Sequence, residues 1–365
     1  MDVISLTKKL LSFNTINPPG NEAEIACFTG SILTENGFDV RFHEFGENRL
    51  HLIAEKGVGA SGFPAVLSGH LDTVPEGKKP WTRDLFSGYV NDGKIWGRGS
   101  SDMKGGLAAM IVASIEAFRN GTPGKGVRLI FTAGEELGCQ GISQLAADRL
   151  IPADASGIIV GEPTGNIPAV GHKGALYLNA VATGKTAHSS MPEKGDNAIY
   201  KVAEAIMRLK DIDFGAEEDR LLGFPTINIG KISGGMNINS VPDRAEFTID
   251  VRTTSKSDHG KILKQIKEAA GREISIEKLV DTGPVSTSMS DPFARMVFRV
   301  MNVVEYSPTS LPYLTDGAVL QKVCNAPVII LGPGEPGQAH QTDEFCYVSK
   351  IEEAVEIYRN ILIMY

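Results

Sequence analysis

Cysteine is scarce in this chain, positive charge is in deficit and long apolar runs are missing, and each of these removes a class of function. Four cysteines, at positions 27, 139, 324 and 346, are scattered over 365 residues. They form neither a disulfide framework nor a CxxC zinc knuckle, and a reducing cytoplasm is the expected compartment. Lys and Arg number 36 against 44 Asp and Glu, a formal charge of −8. No basic block is present to neutralise phosphates or anionic lipid, so no nucleic-acid partner is expected. No apolar run approaches the roughly 20 residues of a membrane-spanning helix, and no membrane association is expected. The N-terminal MDVISLTKKLLSF spaces Leu6, Leu10 and Leu11 as a helix does, but Lys8 and Lys9 interrupt what a signal peptide would keep apolar. Repeats and low-complexity tracts are also missing. What is present is an ordinary globular composition, 42% hydrophobic and 22% charged, in a length that suits two domains or three.

Three segments differ in texture. Residues 1–173 alternate helical and strand patterns, with apolar strands at 50–55, 65–67, 127–132 and 157–160 and a helix at 105–118. That rhythm implies an α/β layer around a mostly parallel, buried sheet. Residues 174–284 read strand 175–182, helix 198–209, strands 226–232 and 245–252, helix 261–270 and strand 274–280. This β-α-β-β-α-β order is ferredoxin-like, an α+β arrangement. Ile199, Val202, Ile206 and Leu209 fall at spacings of three and four, enough for one buried helix face. Residues 285–365 return to the first texture, with strand 328–331 and a closing helix from about 350. The expected organisation is therefore a discontinuous domain, 1–173 with 285–365, interrupted by an inserted domain at 174–284 whose two tethers are natural hinges.

Several motifs fail on inspection. Residues 57–62, GVGASG, match GxGxxG, but strand-like runs flank them where a dinucleotide site needs a following helix, and a hairpin turn is expected instead. Gly184-Lys185-Thr186 lacks the earlier glycine of a phosphate loop, since Asn179 stands there. There is no GxSxG elbow and no HExxH pair.

What remains is a set of acids and histidines at strand ends. In SGHLDTVP, His70 and Asp72 are two apart, so Asp72 can reach back to one imidazole nitrogen and leave the other free for a metal. The bland reading is a capping Asp beside a surface His. In GRGSSDMKGG, glycines flank Asp102, which taken alone would be a helix N-cap. In TAGEELG, an apolar strand ends in adjacent Glu135 and Glu136, which repel unless a cation or proton compensates. A solvated loop pair is the alternative. IVGEPT ends a strand in Glu162, and His340 follows the Gly/Pro-rich loop GPGEPGQAH. Strand ends that present His, Asp and Glu on one side describe a crevice at the carboxyl edge of a sheet, and the combination is more specific than any member.

In order and spacing, nearly end to end, these motifs resemble the two-zinc amidohydrolase and metallopeptidase family of aminoacylases, glutamate carboxypeptidase, acetylornithine deacetylase and succinyl-diaminopimelate desuccinylase. The resemblance implies a zinc-peptidase-like catalytic domain with a lid and dimerisation domain inserted in it, and two divalent ions per chain, zinc or else cobalt. Carried over by motif, Asp102 would bridge both ions, Glu136 and His340 would hold one, His70 and Glu162 the other, Glu135 would be the general base, and Asp72 the carboxylate behind His70. In TGKTAHSSMPEKGDNAI, His188 matches a histidine that reaches the partner's active site in dimeric relatives, with a surface histidine as the alternative. Asn239 and Arg252 match substrate contacts; an Arg there can clamp a carboxylate, or form a plain salt bridge. Where the desuccinylases carry Gly-Gly-Thr-Ser-Asp, this chain has Tyr313-Leu314-Thr315-Asp316-Gly317. The implied function is hydrolysis of an N-acyl amino acid by a cytoplasmic homodimer. A dipeptidase or carboxypeptidase of the same fold, and a non-catalytic binding protein that kept the fold, are the rivals.

Overall fold

The computed structural model describes every residue except Ala60, Ser61, Thr122 and 304–307, and the side chain of Asn120. In chain order the elements are α1 (Val3–Leu11), α2 (Ala23–Glu35), β1 (Asp39–Gly46), β2 (Arg49–Lys56), β3 (Ala65–His70), β4 (Tyr89–Asn91), β5 (Lys94–Trp96), α3 (Gly105–Asn120), β6 (Val127–Thr132), α4 (Gln140–Ala147) and β7 (Gly157–Val160). Next come β8 (Gly174–Thr183), α5 (Ala198–Leu209), β9 (Thr226–Gly234), β10 (Arg244–Thr253), α6 (His259–Ala270) and β11 (Ile274–Thr282). The chain closes with α7 (Pro292–Val300), α8 (Gly317–Cys324), β12 (Val328–Ile330), β13 (Phe345–Tyr347) and α9 (Val348–Met364). Two compact units result: Met1–Gly171 with Val285–Ser310 and Thr315–Tyr365, and His172–Pro284 with Leu311–Leu314.

The first unit is built on a six-stranded sheet ordered β1-β2-β6-β3-β7-β12. β1, β2 and β6 pair antiparallel, whereas β6, β3, β7 and β12 run parallel. Every residue of β3, β6 and β7 is buried, as expected of parallel strands covered on both faces. Among the helices of this unit, α3 packs against α1 and α9, and α4 against α8. β2 and β3 are separated by β6, so residues 57–62 do not close a hairpin between paired neighbours. The alternation of apolar runs was visible, but strand order is a tertiary choice; Ala60 and Ser61 of that motif lie outside the described residues.

The second unit has the expected β-α-β-β-α-β order, with an antiparallel sheet ordered β9-β10-β8-β11. Along β10 buried residues alternate with more exposed ones, the period of a sheet with one covered face. Leu176, Leu178, Phe247, Ile249 and Val251 from the sheet meet Val202, Leu209, Ile262 and Ile266 from α5 and α6 in one core. Asn197 starts α5 by accepting the Ile199 N–H at 2.9 Å, and Asp258 starts α6 by accepting that of Lys261 at 3.1 Å. Each side chain satisfies a donor that the first helical turn leaves free.

Candidate metal centre

Register brings the strand ends of the first unit together. His70 pairs with Thr132 across β3 and β6, and Ser68 with Val160 across β3 and β7. The chain leaving β6 with Glu135 and Glu136, and that leaving β7 with Glu162, therefore emerge beside His70. Behind β6 the turn into α4 is tight: a Cβ on Gly141 would lie 1.7 Å from the Ala133 carbonyl oxygen. Only glycine lets the helix start so close to the strand it follows.

His70, 1% exposed, donates from Nδ1 to the main-chain oxygen of Asp72 at 2.9 Å, since a carbonyl can only accept. Its Nε2 then faces Asp102 Oδ1 at 3.0 Å and Glu162 Oε1 at 4.0 Å. On the other side of the same carboxylate, His340 Nε2 stands 3.5 Å from Asp102 Oδ2 and 3.2 Å from Glu136 Oε2. Asp102 thus turns one oxygen to each histidine, and each histidine has one further carboxylate of its own. The groups His70–Asp102–Glu162 and Asp102–Glu136–His340 each have their donor atoms within 4.8 Å of one another. Asp102 lies in the wide turn Ser100–Lys104 ahead of α3 and does not cap that helix.

Asp72 acts differently from the strand-face expectation. Its Oδ1 is 3.7 Å from His70 Nδ1, beyond hydrogen-bond reach, because β3 ends at His70 and the alternation of faces ends with it. The carboxylate instead accepts the backbone N–H groups of Glu135 at 3.1 Å and Glu136 at 3.2 Å, and Asn17 Nδ2 at 2.8 Å. It therefore braces the loop that carries the two glutamates.

Too many carboxylates share this space for its own cations. Burial, reinforced by Glu162, pushes Glu135 well up from the usual range; burial does the same to Glu162, and burial with Asp102 raises Glu136. Burial opposes a charge on His70, yet Asp102 and Glu162 hold its pKa well above the ordinary value. Asp102 is pulled low by His340 and His70 against the cost of burial. Among the described residues, the ion pairs these acids make are with imidazoles and not with Lys or Arg, and the buried Glu136 Oε1 has no hydrogen-bond partner. An orphaned buried oxygen and a surplus of negative charge, presented by nitrogen and oxygen donors, fit divalent cations.

Two residues absent from the expected site set adjoin it. Cys139 Sγ donates to Glu135 Oε1 at 3.2 Å, and Asp316 Oδ2 accepts the Thr132 hydroxyl at 2.5 Å. Burial raises Asp316 to about 6. In the sequence Asp316 stands in the stretch 313–317 that departs from the desuccinylase pattern, and nothing local announces that it faces β6.

His188, Asn239 and Arg252 belong to the second unit. His188 and Asn239 are exposed on adjoining segments, where Ser189 N–H donates to the Asn239 carbonyl at 3.0 Å. His188 Nδ1 lies 2.7 Å from Ser190 Oγ. Arg252 pairs with Asp250, its Nε 2.9 Å from Oδ1, and lies over the Tyr177 ring at 5.2 Å.

Residues 66–364 match the family described as Peptidase family M20/M25/M40. The chain belongs to that family. It is thereby a metal-dependent amidohydrolase. It is 31% identical to a probable succinyl-diaminopimelate desuccinylase of Staphylococcus epidermidis, over 100% of this chain and 98% of that one. It is 32% identical to an acetylornithine deacetylase of Proteus mirabilis, over 88% of this chain and 84% of the relative. Its fold is similar to that of an M20 family metallo-carboxypeptidase from Sulfolobus solfataricus, with a TM-score of 0.82 at 21% identity, covering 100% and 99% of the two chains.

Proposed function

We propose that this M20 member hydrolyses the amide bond of an N-acyl amino acid, with two divalent ions held by His70 and Glu162 on one side, Glu136 and His340 on the other, and Asp102 between them. The observation that carries this is the split Asp102 carboxylate, one oxygen toward each histidine. Nitrogen and oxygen donors suit zinc, and cobalt as its substitute. Bound there, such ions would polarise the scissile carbonyl and lower the pKa of water. Glu135, 9% exposed and next in sequence to Glu136, takes the proton of the attacking water and returns it to the leaving nitrogen.

Within this reading the second unit is the lid and the dimer contact. Ile232, Met236, Ile238, Tyr200 and Met207 are 61%, 79%, 100%, 69% and 64% exposed, and β9 is an edge strand. An exposed edge with apolar neighbours favours pairing with a second copy. His188 of one copy then stabilises the oxyanion in the other, while Arg252 grips the substrate carboxylate and Asn239 contacts the substrate. All four cysteines are free, in keeping with a cytoplasmic enzyme, and among the described residues no helix is long and apolar enough to cross a membrane.

The test is a panel of N-acetyl and N-succinyl amino acids and dipeptides with zinc- or cobalt-loaded protein. Hydrolysis of an acylated amino acid, lost on exhaustive chelation and regained on metal return, is expected. Turnover that survives chelation overturns the metal centre, and turnover of dipeptides alone overturns the deacylase. Mixing His188→Ala with Glu135→Gln should restore activity, since a heterodimer holds one intact site; no recovery after verified subunit exchange removes the cross-subunit role.

A further inference from the structure

Four residues beyond His340 lies a carboxylate outside the ligand set. Glu344 is fully buried, and both its oxygens are spent on one loop. Oε1 accepts the N–H groups of Ser101 at 2.8 Å and Asp102 at 3.1 Å; Oε2 accepts that of Gly99 at 3.0 Å and Arg98 Nη1 at 2.8 Å. The main chains are joined as well. Gly97 N–H donates to the Glu344 carbonyl at 2.9 Å, and the Ser101 hydroxyl to that of Phe345 at 2.7 Å. The loop so held is irregular. Gly99 has φ 89°, and Asp102 and Met103 leave helical geometry at φ −122°, ψ 89° and φ −137°, ψ 30°, so no regular ladder orients Asp102.

We propose that Glu344 is the positioning residue of Asp102: by gathering three backbone N–H groups of residues 99–102 it aims the carboxylate that faces both histidines, and through its own segment it ties that aim to His340. Asp72 does the same for residues 135–136, so two buried carboxylates frame the site from behind. The competing account is that Glu344 merely neutralises Arg98, itself 1% exposed. Three of the four bonds go to backbone, which favours the positioning role. A turn whose shared carboxylate is misaimed still offers donors to one ion but fails a second. The inference rests on the two-ion reading above, and the experiment separates the two.

Metal-stripped protein is titrated with Co²⁺ alone, following heat and the visible absorption of each bound ion, for wild type, Arg98→Met, Glu344→Gln and the Arg98→Met/Glu344→Gln double variant, with Tm measured for each. Wild type and Arg98→Met should take up two ions with affinities within about threefold of each other. Glu344→Gln should bind the second ion roughly 10- to 100-fold more weakly, with an altered absorption band, the scale of loss when groups behind a metal ligand are removed. The double variant removes both charges, so its Tm should recover while the second-ion defect stays. A double variant that binds both ions as wild type does overturns the positioning role and leaves the metal centre standing. A wild type that takes up fewer than two ions overturns the metal centre and the inference with it.

Discussion

The two sheets handle polar residues in opposite ways. In the first unit β3, β6 and β7 are buried along their whole length, so a parallel sheet covered on both faces leaves its chemistry to the strand ends. His70, Glu135, Glu136 and Glu162 all stand at or just beyond such ends. In the second unit β10 alternates: Phe247, Ile249 and Val251 enter the core while Asp250 and Arg252 occupy the other face, where they pair with each other. Charge density follows from this. The first unit gathers carboxylates at one site where their ion-pair partners are imidazoles, whereas on the second unit's sheet Asp250 stands singly beside Arg252.

The largest effect that sharpens this contrast is at the strand ends. Glu135→Gln should lower kcat by at least about a thousandfold with metal content unchanged, because it removes the proton acceptor and keeps the shape; Glu136→Gln should lose metal, as elemental analysis would show. Equal metal loss in both would mean that the two acids are not divided between base and ligand. In the second unit the decisive term is packing. Phe247→Ala, at a site 1% exposed, should cost about 3–5 kcal/mol in denaturant unfolding of that unit while Co²⁺ uptake by the first is retained. Loss of both together would show that the two cores are not separate.

Each unit also buries a neutral histidine. Burial takes His51 in the first and His172 in the second from 6.5 to about 4. The folded pKa lies below the unfolded one, so between pH 6.5 and 4 the unfolded chain binds a proton that the folded chain refuses, and stability falls as pH drops, by on the order of 3 kcal/mol per histidine at the acid end. His172→Gln should flatten the acid slope of the second unit alone, measured as unfolding free energy at pH 7, 5.5 and 4.5. An unchanged slope would mean that His172 does not stay neutral in the fold. The smallest effect is at a helix start: Asn197→Ala should destabilise the second unit by about 1 kcal/mol, since it leaves the Ile199 donor without its cap.

The sequence by itself determined the element types, because periodicity is local. Helix α5 was legible to the residue, and the strands of the second unit to within two residues at each end. It also placed acids and histidines after apolar strands, which was enough to propose a shared site. Tertiary structure alone decided which strands lie side by side: β6 comes between β2 and β3, a choice no turn residue encodes. It also decided what each buried oxygen touches. Asp72 turns its carboxylate to residues 135–136 and holds the His70 ring through its main-chain oxygen, and Glu344 collects the N–H groups of a loop more than 240 residues away in sequence. A carboxylate's partners depend on backbone groups, and every residue but proline carries the same N–H. Such partners leave no mark in the sequence and appear only when the loops are folded against one another.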